Sequence, residues 1–357
     1  MQSGKYILKI LVTGGAGFIG SALIRELLKN TNYEVVNVDA LRYAGNLNSL
    51  PFAENSKNYC FELCDICDED QLKIIFKKYE PNVIFHLAAE SHVDRSILSP
   101  KQFIETNIMG TFNLLNLSLD LWNSRKSESN YFFRFHHIST DEVFGDLGDS
   151  DLKFQESSLY RPSSPYAASK ASSDHLVRSW GRTYGLPYIL TNCSNNYGPY
   201  QFPEKLIPQT ILNAINGLDI PVYGDGNQIR DWLYVDDHVQ ALLCAVFQAE
   251  QNQNYNIGGN NEIKNIDVVN QICKILDNEV KEKPQSISSF ADLISYVTDR
   301  PGHDLKYAID ASKIHKELGW TPNENFETGI KKTVLWYLDN QVWWKQILQG
   351  TYQEEKK

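Results

Sequence analysis

Residues 13–20 read TGGAGFIG, and they stand between the apolar run 6–12 and the amphipathic stretch 18–28. Glycines at 15, 17 and 20 fit the spacing G-x-G-x-x-G, and those at 14, 17 and 20 fit the related G-x-x-G-x-x-G. A strand that runs through such a turn into a helix brings backbone N–H groups and a helix N-terminus up to a pyrophosphate, with no side chain in the way. The second apolar run, EVVNVD at 34–39, ends in Asp39, 19 residues beyond Gly20, where a carboxylate accepts from the hydroxyls of an adenosine ribose. The same carboxylate repels a 2′-phosphate. The pattern therefore predicts NAD rather than NADP as cofactor, with Arg42 close by as a group that could meet a phosphate.

Outward from this loop, short apolar runs at 34–38, 58–63, 83–87, 132–138 and 188–192 join 6–12 as buried parallel strands. Apolar residues at helical spacing over 18–28, 70–79, 102–122 and 165–184 fill the gaps. The alternation predicts an α/β fold, a Rossmann doubly wound parallel sheet with right-handed crossovers. Asp65 and Ile66 follow the third strand, and Ala88 and Ala89 the fourth, where an open sheet binds its ligand. Beyond Asn196 the pattern turns irregular, with helices expected at 204–216, 235–247, 267–276 and 326–344. This predicts a smaller, mixed C-terminal substrate lobe over the crevice. Because 235–247 and the strand-like 254–257 can return to the large sheet, the expected division is discontinuous: 1–195 plus about 235–260 binds NAD, and about 196–234 plus 261–357 forms the substrate lobe.

Of the 357 residues 42% are hydrophobic and 22% charged, the composition of a globular chain with a sizeable core. Lys and Arg number 34 against 44 Asp and Glu, and the net charge of −10 argues against nucleic acid or an anionic membrane as the main partner. No apolar run approaches the length of a bilayer span, and the chain passes from Lys5 into the glycine loop without a signal-peptide core, so a cytoplasmic location is expected. Six cysteines in a chain of this length make no disulfide framework. Cys60, Cys64 and Cys67 cluster but lack a second ligand pair, so they are read as buried thiols and no metal is expected. His86, His136 and His137 are read as core histidines, and Trp336, Tyr337, Trp343 and Trp344 as a packing stripe.

The fifth strand runs into Ser139-Thr140-Asp141-Glu142-Val143-Phe144-Gly145, and the next helix opens Pro165-Tyr166-Ala167-Ala168-Ser169-Lys170. Tyr166 and Lys170, at i and i+4, share a helix face. An ammonium beside a phenol favours the phenolate, so the Tyr166 pKa is expected below its usual value of about 10, poised to take a hydroxyl proton while hydride leaves the same carbon.

TGGAGFIG and YAASK together resemble the extended short-chain dehydrogenase/reductase family, in its NAD(P)-dependent epimerase/dehydratase branch. STDEVFG at 139–145, HLAAESHVDRSI at 86–97, NCSNNYGPYQFPEKLIP at 192–208, IRDWLYVDDH at 229–238, YNIGG at 255–259 and DRPGHDLKYAID at 299–310 are similar to its nucleotide-sugar 4,6-dehydratases, over about residues 10–337. The resemblance implies a homodimeric hydro-lyase of deoxysugar, rhamnose-type biosynthesis. Its substrate would be dTDP-glucose, oxidised at carbon 4 by NAD, stripped of water across carbons 5 and 6, and given back the hydride at carbon 6.

It further implies that Glu142 is the base at carbon 5, Asp141 the acid at the carbon 6 hydroxyl, and Thr140 a partner of Tyr166 at the carbon 4 oxygen. Adjacent carboxylates in a closed site raise one another's pKa, which keeps one protonated. Cofactor contacts would come from Gly14, Gly17, Phe18, Ile19, Gly20, Asp39, Asp65, Ile66, Ala88, Ala89, Thr106, Tyr166, Lys170 and Asn196. Substrate contacts would come from Ser91, Thr140, Asn195, Lys205, Leu206, Pro221, Tyr223, Arg230, Asn265, Arg300 and His303, with the two arginines suited to diphosphate. The family usually has Tyr where Phe144 stands and a small polar residue where Arg42 stands; the first change would remove a hydroxyl near the acid pair, and the second would touch cofactor preference. A nucleotide-sugar 4-epimerase is the alternative enzyme, opposed by the acid pair. A non-catalytic Rossmann dinucleotide-binding protein is the other, opposed by Tyr166 and Lys170.

Overall fold

The computed structural model describes residues 7–284 and 287–352; Tyr6, at the start of the first expected strand, and the charged tail 354–357 lie outside the described residues. The chain opens β1 (Lys9–Thr13), α1 (Phe18–Asn30), β2 (Glu34–Asp39), β3 (Tyr59–Leu63), α2 (Glu69–Tyr79) and β4 (Val83–His86). It continues through α3 (Val93–Leu98), α4 (Pro100–Phe103), α5 (Thr111–Arg125), β5 (Arg134–Thr140), α6 (Pro165–Tyr184) and β6 (Tyr188–Cys193).

These strands lie parallel, and the sheet order reverses at β1, which pairs with β2 on one side and β4 on the other. Thr13 stands opposite Val38 and His86, so three strand ends open together at this switch point. Alternation within β1 divides the core: Ile10 and Val12 join residues of α1, and Leu11 joins residues of α2 and α5 on the other face.

The helix expected over 102–122 is instead three pieces: α4, a π-helical stretch Ile104–Gly110, and α5. The stretch is bonded to its neighbours. The Asn107 amide accepts from the Glu90 N–H at 2.9 Å and donates to the Glu90 carbonyl at 3.0 Å and to Ser169 Oγ at 2.8 Å, tying the loop after β4 to α6.

Past β6 the chain forms β7 (Asn195–Tyr197), α7 (Leu206–Ile215), β8 (Ile220–Tyr223), β9 (Ile229–Tyr234), α8 (Val235–Gln248) and β10 (Gln253–Ile257). Then follow β11 (Glu262–Lys264), α9 (Asn265–Glu279), β12 (Ile294–Val297), α10 (Ser312–Leu318), α11 (Phe326–Asp339) and α12 (Gln341–Gln349). β10 lies parallel to β6 and completes a sheet of order β3-β2-β1-β4-β5-β6-β10. The remaining strands form two small sheets, β11-β9-β7 and β12-β8, around a separate apolar core. The helix expected over 326–344 breaks at Asn340, whose backbone N–H and side-chain amide both donate to the Trp336 carbonyl, at 2.9 and 2.8 Å. The turn lets α12 bury Trp343 and Trp344 in the second core beside Tyr337, as packing residues.

Candidate active site

The loop after β1 is shaped by close approach. Gly14 has φ +72°, and a Cβ there would lie 2.7 Å from the Ala88 nitrogen; a Cβ on Gly20 would lie 2.2 Å from the Gly14 carbonyl oxygen. Gly17 caps the 13-residue α1 with no side-chain bond, and no acid stands in the first turn, so its free N–H groups and positive end suit an anion. Asp39 ends β2 with its carboxylate accepting from the Ala16 and Leu41 N–H groups at 2.9 and 2.8 Å, which aims it at the same loop. These features fit a dinucleotide. Gly14, Gly17, Phe18, Ile19, Gly20, Asp39, Asp65, Ile66, Ala88, Ala89, Thr106, Tyr166, Lys170 and Asn196 all line one cleft.

Arg42 is engaged elsewhere. Its guanidinium pairs with Asp65 at 2.6 Å and Glu90 at 2.9 Å and donates to Thr106 Oγ1 at 3.3 Å. Burial pushes the Asp65 carboxyl up, but the Cys67 N–H and Arg42 outweigh it and hold the group below its ordinary value. A 2′-phosphate would have to displace two carboxylates from Arg42, so this residue does not turn the site toward NADP.

At the end of β5, Thr140 Oγ1 accepts from the Glu142 N–H at 3.2 Å and donates to Asp141 Oδ1 at 3.3 Å, fixing the short turn Asp141–Phe144. Asp141 is 1% exposed, and its Oδ2 is buried without a hydrogen-bond partner. Burial, then Glu142 and Asp231, push the Asp141 carboxyl well above the ordinary range. Half-buried Glu142 is also raised by burial, against the opposing charges of Arg230, Arg300 and Lys205.

Ser164 caps α6 by accepting from the Ala167 N–H at 3.1 Å with Pro165 in the first turn, which presents buried Tyr166 and Lys170 to the cleft. The expected lowering of the phenol is not what the protein's own groups produce. Burial and the nearby Glu142 push Tyr166 well above its usual value. Lys170, meanwhile, directs its Nζ to the Ile138 carbonyl at 2.8 Å.

Of the expected substrate residues, Ser91, Thr140, Asn195 and Lys205 line the cleft, whereas Leu206, Pro221, Tyr223, Arg230, Asn265, Arg300 and His303 do not. Several of the latter stand together beyond it. Arg230 is buried, donates to the Ile229 and Asp304 carbonyls at 2.8 and 2.9 Å, and lies over Tyr307. Arg300 pairs with Asp94 at 2.8 Å while its Nε stays buried without a partner. His303 sits 2.6 Å from Asp299 and edge-on to Tyr223, and Asn265 keeps an unpartnered buried Oδ1.

Phe144 stacks on Phe154 and meets Tyr160 edge-on in an apolar cluster, and it does not line the cleft. Sequence reasoning missed Glu90, Tyr43, Glu204 and Trp343, all in the cleft wall. Arg95 links two of these, lying over the Tyr43 ring and pairing with Glu204 at 3.2 Å. Trp343 arrives from α12, where nothing local marks it; its indole donates to Ser49 Oγ at 3.2 Å.

Comparison with known proteins places these features among nucleotide-sugar enzymes. The model of a family described as GDP-mannose 4,6 dehydratase matches residues 11–333. A protein of Neisseria meningitidis serogroup B named dTDP-glucose 4,6-dehydratase is 59% identical over 348 residues, covering 98% of each chain. One of the same name from Escherichia coli is 59% identical over 357 residues, covering 98% of this chain and 99% of its own. The solved structure of DesIV, a dTDP-glucose 4,6-dehydratase from Streptomyces venezuelae with NAD and TYD bound, superposes with a TM-score of 0.85 at 39% identity, covering 95% of this chain and all of that one.

Proposed function

Since this chain belongs to the GDP-mannose 4,6-dehydratase family, we propose that it is an NAD-dependent hydro-lyase that converts dTDP-glucose to dTDP-4-keto-6-deoxyglucose. The observation that carries the reading is the pair of buried Asp141 and half-buried Glu142, set at the end of β5 in the same cleft as Tyr166 and Lys170. NAD, when held by the glycine loop and Asp39, supplies the acceptor for the carbon 4 hydride and the donor that returns it to carbon 6.

The chain's residues manage protons and orientation. Tyr166, beside Thr140, is placed to take the proton of the carbon 4 hydroxyl once it is the phenolate, a form that burial and Glu142 oppose and that the Lys170 ammonium and the positive ring of bound NAD would favour. The resulting ketone acidifies the carbon 5 hydrogen, which Glu142 removes. Asp141, whose hold on its proton is strengthened by burial and its neighbours, donates to the departing carbon 6 hydroxyl. Arg230, Arg300 and His303, with Tyr223, Asn265, Ser91, Asn195 and Lys205, orient the nucleoside diphosphate, while Leu206 and Pro221 add apolar support. The unpartnered Arg300 Nε and Asn265 Oδ1 support that role.

An epimerase would return the hydride to carbon 4 and lose no water. A substrate deuterated at carbon 4 is expected to give a 4-keto-6-deoxy product with the label at carbon 6. Label recovered at carbon 4 with no water lost would overturn the dehydratase reading and favour the epimerase.

Among the described residues no helix is long and apolar enough to cross a membrane. The finer reading is a cytoplasmic homodimer, with residues 1–195 plus about 235–260 forming the cofactor lobe. Return of β10 to the large sheet supports that division, and exposed Ile97, Leu98, Ile104 and Met109 around α3 and α4 support a second copy there. A solution mass of one chain, measured by sedimentation, would sink the dimer.

A further inference from the structure

Helix α6 places Tyr166, Lys170 and Asp174 four residues apart on the face turned to β5, and behind Lys170 lies a closed polar cluster. Lys170 Nζ is 3.5 Å from His137 Nε2, which in turn is 3.2 Å from Asp174 Oδ1; the side chains of His137 and Asp174 are both 0% exposed. The other carboxylate oxygen, Oδ2, accepts from Ser139 Oγ at 3.0 Å, the Tyr160 hydroxyl at 2.8 Å and Asn192 Nδ2 at 3.1 Å. Three donors on one oxygen suit an ionised carboxylate, and the Asp174 pKa is depressed, His137 first among its causes after burial itself is overcome.

A buried charge needs an opposite one nearby. The titratable groups facing Lys170 are His86 from β4, His137 from β5, Cys193 from β6, and Tyr166 and Asp174 from its own helix. Burial keeps His86 and His137 neutral, the latter lowered to about 4, and pushes Cys193 up to about 12. With Tyr166 raised as well, Asp174 is the group among them that is negative at neutral pH.

We propose that Asp174, with His137 packed between it and Lys170, is a positioning residue for the hydride step: it is the counter-ion of the Lys170 ammonium, one turn from Tyr166 on the same helix face. The inference rests on the roles of Tyr166 and Lys170 given above. Burial already lowers Lys170 to about 8 against the opposing charge of Asp174, so loss of that carboxylate is expected to lower it further.

The test is Asp174→Asn in the full chain with NAD and dTDP-glucose, following NADH formation in a single turnover from pH 6 to 9. The rate is expected to fall about 10- to 100-fold at neutral pH, and its decline on the alkaline side to begin at least about one pH unit lower. Nitrogen NMR of labelled lysine, without cofactor, should show the Lys170 titration moving the same way. If Asp174→Asn does not fold, the Lys170 titration of the parent chain decides: an ammonium at pH 7 supports the counter-ion role, and a neutral amine there overturns it. An unchanged pH profile in folded Asp174→Asn likewise overturns the proposal. Retention of full NADH formation by Tyr166→Phe would instead overturn the underlying site reading.

Discussion

Asp141 carries a cost that its chemistry explains. Burial and the neighbouring carboxylates raise its proton affinity in the folded chain, whereas in the unfolded chain it titrates near the ordinary value of about 3.9. Between those two values the folded protein holds a proton that the unfolded chain has released, so stability falls as pH rises through that window. Asp141→Asn abolishes the dependence. The variant is expected to be more stable than the parent at pH 8 by about 1 kcal/mol or more, with a smaller gain at pH 5, and to lose about 10²–10⁴-fold in water elimination while bound NAD is still reduced. Thermal melts at the two pH values check the first part; an equal gain at both would show that Asp141 is not held protonated. The reacting groups were legible because strand ends, a glycine loop and an i, i+4 pair are local patterns. The direction of the Tyr166 shift was not, since it depends on Glu142 and burial rather than on the lysine one turn away. Arg42 likewise read as a free cation, and its two carboxylate partners lie on other strands' exits.

Elements were legible to the extent that each has a simple period. The parallel strands and α1, α2 and α6 stand close to where apolar spacing puts them. The two long helices that proved to be composite failed for different reasons. In the 104–110 stretch the chain stays helical, but Asn107 bonds the Glu90 backbone and Ser169, and a widened turn shifts the apolar pattern by less than a short window resolves. At Asn340 the apolar stripe continues across the break, because α11 and α12 both face the second core. The second boundary carries no Pro or Gly, and Gly110 at the end of the first leaves the chain helical. What ends the helix is an Asn folding back on Trp336, a role any interior Asn declines when its side chain points to water.

At the scale of the molecule, the large sheet is closed by β10, whose pairing with β6 joins Gln253 to Ile189 and Ile257 to Cys193. That pairing has a consequence during synthesis. Until residue 257 has left the ribosome, the edge of β6 offers unpaired backbone groups in the strand YILTNC, five of whose six residues are buried in the finished protein. Nascent chains of intermediate length should therefore be sticky, and helix α8, made just before the closing strand, cannot protect that edge by pairing with it. A chain ending at residue 248 is expected to aggregate on refolding at micromolar concentration, whereas one ending at 260 stays markedly more dispersed; light scattering distinguishes them, and equal behaviour would mean that the exposed edge is not what makes the unfinished chain adhesive.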